Sequence, residues 1–288
     1  VKRAQWITLG VAALLTVALF AYSQNQIFGA PKPFKGKPAA MAGASAVTID
    51  SFLNHIKSHL TPDQISRFNF LSSQLNQETD PSEKLHLYHK IAAFWRDSVR
   101  LAEQEETFAP FAWYTAESAR LENSEKSLTF AARLFWSNIS SNDDEATRQW
   151  KALQAKDLFE RSLKVRPDND SVQVELGEVY LYGNTGMMPM EGVKLIQKVA
   201  EKDPDNTYAL AALGYASKTS GQFDKAIERF KKIVELEPGN AKAILMLADI
   251  YEQTGNKSEA ILYYRKSLPL LNADFRKEVE LRIDQLSK

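Results

Sequence analysis

Cysteine is absent from the chain. That excludes disulfides, thiolate metal sites, cysteine nucleophiles and a lipidated N-terminal cysteine together, and it leaves the redox compartment open. Histidine is scarce, with four in the chain. There is no Gly-rich phosphate loop and no Gly-x-Ser-x-Gly elbow. Paired acids occur only as charged helices carry them by chance, so the sequence offers no catalytic apparatus. An excess of one charge is missing as well, since 36 basic groups balance 36 acidic ones. Five of the basic groups (Lys2, Arg3, Lys32, Lys35, Lys37) fall in residues 1–46, which hold no acid. The remaining 31 against 36 leave the body at −5, which argues against nucleic-acid binding. What is present is ordinary globular composition: 288 residues, 44% apolar and 25% charged. That suits one large or two ordinary domains and is incompatible with wholesale disorder.

Residues 1–28 read as a membrane signal. Ala4 to Tyr22 is a run of nineteen uncharged residues, about 28 Å as a helix and close to the hydrocarbon thickness of a bilayer. Trp6 and Tyr22 flank it, and Lys2 and Arg3 precede it. The positive-inside rule then keeps the N-terminus cytoplasmic and sends the body across. The rival reading is a cleaved signal peptide, with Ala21-Tyr22-Ser23 as small residues at the right separation. The expectation is an inner-membrane, single-pass protein with its body in the periplasm, or a soluble periplasmic one after cleavage. Residues 29–46 are rich in Pro, Gly, Ala and Lys and read as a flexible linker.

The body repeats. Leu210, Leu213, Gly214, Gly221, Ala226, Ile227 and Phe230 recur 34 residues later as Ile244, Leu247, Ala248, Gly255, Ala260, Ile261 and Tyr264. The unit before has Leu176-Gly177, Tyr180, Gly192, Ile196, Val199 and Pro204, with three extra residues in its inter-helix turn. Another unit back, Ala155, Phe159, Ser162 and Pro167 hold the second-helix positions. This spacing resembles the tetratricopeptide repeat, a 34-residue pair of antiparallel helices. Small residues fall where paired helices approach, large ones fill the holes, and Pro167, Pro204 and Pro238 stop the second helices.

The resemblance implies an all-α, right-handed solenoid of about five helix pairs. Its repeats occupy 143–169, 170–206, 207–240 and 241–272, with a capping helix at 273–288. Residues 47–142 keep the helical period without the full motif and read as two divergent repeats behind a lead-in helix at 48–60. Thr61-Pro62 and Asp80-Pro81 start helices near 62–77 and 81–105. Pairs near 108–123 and 125–140 follow, then a long helix capped at Asn142-Asp143-Asp144. On its architecture the chain is similar to membrane-anchored tetratricopeptide proteins of Gram-negative envelopes.

In the repeat family the second, fifth, ninth and twelfth positions of each first helix face a bound peptide. Here they are Ser171, Val174, Glu178 and Leu181; then Tyr208, Ala211, Tyr215 and Lys218; then Lys242, Leu245, Asp249 and Glu252. The mixture, apolar and aromatic with charges at the edge, suits an extended or helical peptide. Tyr208 and Tyr215 are expected to stand outside the core as paired anchors. One subfamily clamps a C-terminal carboxylate with Lys, Asn and Arg, and this sequence departs from it with Val174, Ala212 and Met246 at those places. The competing chemistry is a metal site or metal-dependent enzyme on the helical pairs His55/His59 and His86/His89. No His-Glu-x-x-His motif completes either pair. A self-assembling structural protein is the third reading. Met187, Met188 and Met190 form either a soft contact surface on the longest turn or packing tucked beneath it. The expected function is a membrane-tethered, periplasm-facing scaffold that binds an envelope protein or peptide, with no enzyme activity and no cofactor.

Overall fold

A computed structural model describes residues 47–98, 104–140 and 143–288. The expected membrane segment and linker, 1–46, lie outside the described residues. Among the described residues there is no strand, and no helix is long and apolar enough to cross a membrane. Thirteen α-helices are described. They are α1 (Ile49–Lys57), α2 (Pro62–Gln77), α3 (Pro81–Ala93), α4 (Gln104–Glu122), α5 (Glu125–Ser137), α6 (Glu145–Val165) and α7 (Asp170–Tyr182). Then come α8 (Pro189–Lys202), α9 (Thr207–Thr219), α10 (Phe223–Leu236), α11 (Ala241–Gln253), α12 (Lys257–Ser267) and α13 (Ala273–Leu286). They form two compact units that divide at 199/200, inside α8. Each unit is a stack of helix pairs, the solenoid type of all-α architecture.

The helix starts are written in local chemistry. Thr61 Oγ1 accepts from Gln64 N at 3.3 Å, and Asp80 Oδ1 from Ser82 N at 2.9 Å, each ahead of a proline that has no amide hydrogen to satisfy. Asn169, Asn206 and Asn240 do the same before α7, α9 and α11, accepting from the amide three residues on at 3.2, 3.0 and 3.0 Å. One capping residue thus recurs at each of these first helices, contributing about 1 kcal/mol apiece. The second helices α6, α8 and α10 end at Val165, Lys202 and Leu236, two residues before Pro167, Pro204 and Pro238 as the repeat reading expects.

In the unit at 47–199, the helix expected over 81–105 is α-helical only to Ala93 and continues as a π-helical turn over Phe94–Ser98. Successive residues of an α-helix point about 100° apart. The wider turn lets the adjacent Phe94 and Trp95 both be buried, 6.0 and 5.0 Å from the Phe68 ring on α2. Trp150 on α6 ties four helices together. Its ring lies 4.8 Å from Phe52 on α1, 6.3 Å from Trp113 on α4 and 5.4 Å from Phe135 on α5. The lead-in helix is α1, and it packs on α4. The chief partner of α5 is α6, so α5 is the first helix of a pair and not the second helix of a pair with α4.

In the unit at 200–288, α9 packs on α10 and α11 on α12. The glycine of the first helix sits where the paired helices meet: a Cβ on Gly214 would stand 2.8 Å from Phe230 Cε2. Gly177, in the other unit, meets Ile196 Cγ1 at 2.5 Å in the same way. The turns between paired helices pass through Gly221 and Gly255 at φ 75° and 79°, a region costly for any residue with a Cβ. Phe275, Val279 and Ile283 of α13 are buried, the last two against Leu245. The helix expected as a cap at 273–288 therefore buries its apolar side against this end of the unit.

Candidate functional site

Every residue assigned to the inward face lies on α7, α9 or α11, but side-chain burial separates them into two groups. Val174, Tyr215 and Leu245 are buried within the chain. Tyr215 in particular is core and not the free anchor expected of it. Its ring packs edge-on to Phe230, centroids 5.3 Å apart at 75°, with the Lys242 ammonium 5.4 Å from the ring centroid. The reason is geometric. The ninth position lies one residue past Gly214, and the space left by the missing Cβ draws Phe230 close enough for Tyr215 to cover it. Leu245 is covered by α13. Tyr215 and Leu245 shape the surface of α9 and α11 from beneath, and Val174 does so for α7 in the other unit.

The others reach the surface. Tyr208 is 39% exposed at the start of α9, while Ala211, Glu178 and Leu181 are half-buried and Ser171 is exposed. The charged residues engage one another across neighbouring helices. Lys218 on α9 pairs with Asp249 on α11. Glu252 on α11 accepts from Tyr264 Oη at 2.9 Å and from Arg282 Nε on α13 at 3.0 Å. Burial pushes the Glu252 carboxyl up, but the bonds from Arg282 and Tyr264 outweigh it and hold the pKa below the ordinary value. A partner that reads these charges must enter an existing set of pairs, which favours a ligand with both polar and apolar groups over a simple ion.

Two features of the unit at 47–199 escaped the sequence reading. Phe130 on α5 is 58% exposed, and Arg133 Nε on the same helix donates to Glu175 Oε1 on α7 at 2.6 Å. Burial raises the Glu175 pKa despite the guanidinium beside it. The signal was available: Leu128, Ala131, Ala132 and Phe135 repeat the spacing of Ile244, Leu247, Ala248 and Tyr251, which marks α5 as a first helix.

The histidine pairs do not assemble into one centre. His55 and His59 stack edge-on with centroids 5.3 Å apart, while His86 and His89 are exposed on α3. Among the described residues no group of three or more His, Cys, Asp or Glu is placed to hold a metal ion.

Residues 217–269 match the tetratricopeptide repeat family. That stretch is tetratricopeptide repeat. The matched span opens in the second half of α9 and takes in α10, α11 and α12, so it contains Lys218, Asp249 and Glu252, while Tyr208 and Ala211 precede it. Solved structures are similar over longer stretches. MamA from residue 41 onward, of Desulfovibrio magneticus RS-1, is 20% identical, with 67% of this chain and 96% of that one covered and a TM-score of 0.45. PilW, described as a widely conserved type IV pilus biogenesis factor, is 18% identical, with 70% and 85% covered and a TM-score of 0.49. No curated protein sequence matches the chain.

Proposed function

We propose that the protein is a membrane-tethered, periplasm-facing tetratricopeptide scaffold that holds a protein or peptide of the cell envelope against its first helices. The observation that carries the reading is Tyr208, a large aromatic kept 39% exposed at the second position of a first helix, whose far end carries Lys218 in a pair with Asp249 of α11. Aromatic side chains presented on a rigid helix are the usual anchors of protein interfaces. Tethering rests on the apolar run 4–22 behind Lys2 and Arg3, and the linker 29–46 gives the body reach.

A photo-crosslinking residue in place of Tyr208 tests the interaction in intact cells. A discrete adduct from that position, and none from an outward second-helix position such as Glu235, supports the reading. Equal labelling from both sinks it. Topology has its own test, because the chain has no cysteine. Ser45→Cys labelled by a membrane-impermeant maleimide in spheroplasts supports a periplasmic body, and labelling only after lysis overturns it. The mass of the mature chain separates an anchor from a cleaved signal.

A further inference from the structure

The turn between α7 and α8 is the longest within any of the three repeats from 170 onward, and its chemistry is unused by the reading above. It carries Met187 and Met188, and Met190 follows in the first turn of α8, which puts three of the five methionines in the chain within four residues. Methionine is among the side chains most often fully buried. Here the three are 37%, 69% and 57% exposed, so they do not tuck beneath the turn. A further methionine, Met246, packs against the core of its unit. Burial therefore explains Met246 and leaves the exposed three unexplained.

The backbone presents them together. Gly186 enters the turn at φ 79°, Glu191 N donates to Met188 O at 2.9 Å, and Pro189 opens α8. Consecutive Cα atoms are about 3.8 Å apart, and each thioether swings on three rotatable side-chain bonds. The three thioethers therefore lie within side-chain reach of one another on one exposed segment. Two of the hard donors near them are engaged elsewhere, and the Thr185 hydroxyl is buried. The Glu191 carboxylate pairs with Lys194 at 2.9 Å, and the Asn184 carbonyl accepts from Gln149 at 3.0 Å. The start of α8 disfavours cations electrostatically, a divalent ion about twice as much as a monovalent one, so charge alone holds no ion here and sulfur bonding has to supply the affinity. A soft monovalent ion, bound through sulfur polarisability, is the class that a thioether set selects.

We infer that Met187, Met188 and Met190 form a binding site for a soft d10 monovalent cation, of the copper(I)/silver(I) class. The test is titration of the purified full chain with silver(I), which is redox-inert, followed by methyl-selective NMR of labelled methionine and by competition with a chromophoric copper(I) chelator. One equivalent of silver is expected to shift the methyl signals of Met187, Met188 and Met190 and to leave that of Met246 in place. The triple variant Met187→Leu/Met188→Leu/Met190→Leu keeps the apolar volume, so helicity and Tm should stay as in the parent while affinity falls at least tenfold. The single variant Met188→Leu, at the most exposed position, should weaken binding in the same direction. Changing all four histidines to Gln should leave binding intact. Silver held equally well by the triple variant, silver lost in the histidine variant, or no binding in the parent would each overturn the site. A leucine variant that retains crosslinking from Tyr208 but loses silver separates this site from the proposed scaffold role.

Discussion

Arg133 Nε and Glu175 Oε1 meet at 2.6 Å across the first helices α5 and α7, and the carboxylate is the more buried partner, with 12% of its side chain exposed against 51% for the arginine. Its second oxygen has no hydrogen-bond partner among the described residues. Burial raises the Glu175 pKa in spite of the ion pair, so here desolvation outweighs the charge attraction.

That relationship has a pH signature. A carboxyl whose folded pKa is raised contributes stability present below its unfolded pKa and lost as pH rises through the folded one. Glu175→Gln removes that loss. Its Tm should therefore exceed the parent's at pH 7, and the gap should close as pH falls into the ordinary glutamate range. Calorimetry across pH 3.5–7 checks this, and a variant less stable at neutral pH would show that the pair wins over burial.

Asp143 and Lys151 form a pair in which both partners are mostly buried. Lys151 Nζ lies 2.8 Å from both Asp143 oxygens and 2.8 Å from the Asn138 carbonyl. Asp143→Ala leaves an uncompensated ammonium and should cost about 3–5 kcal/mol. Adding Lys151→Met should recover most of it, as urea denaturation of the two variants would show.

Gly214→Ala sets helix propensity against packing. Alanine favours a helix by about 1 kcal/mol over glycine, yet the new Cβ would stand 2.8 Å from the buried Phe230 ring. Packing should win, with a net loss of about 1–3 kcal/mol. Pairing the change with Phe230→Leu should make the two effects clearly non-additive in a double-mutant cycle.

The two tyrosines of α9 should part company. Tyr215→Ala empties a core position and should cost about 3–5 kcal/mol, the scale of large aromatic truncations. Tyr208→Ala should change stability by less than about 1 kcal/mol while abolishing the capture of a partner at that face. Melting curves of the two single variants separate them. Equal loss of Tm would return Tyr208 to a packing role.

The sequence by itself determined the helices, their pairing in the repeats from 170 onward and the cap. Those features depend on interactions within one repeat: Asn240 and the Ala243 amide, the prolines after each second helix, and the small residue facing a large one at Gly214 and Phe230. A 34-residue period makes such local chemistry legible because each repeat writes it again. Upstream of 143 the motif is incomplete and suggests α5 as the partner of α4, although Leu128, Ala131, Ala132 and Phe135 carry the first-helix spacing and α6 is the chief partner of α5. Only tertiary structure decided which side of each first helix is covered. Tyr208 and Tyr215 lie seven residues apart, two turns along nominally one face, yet one is 39% exposed and the other buried. The difference is made by Phe230 and Lys242, which come from other helices and so leave no trace in the local pattern. The same holds for Leu245 beneath α13, and for Met187, Met188 and Met190, whose exposure no local rule predicts. Burial is set by what packs against a residue from far along the chain, and that information exists only once the chain has folded.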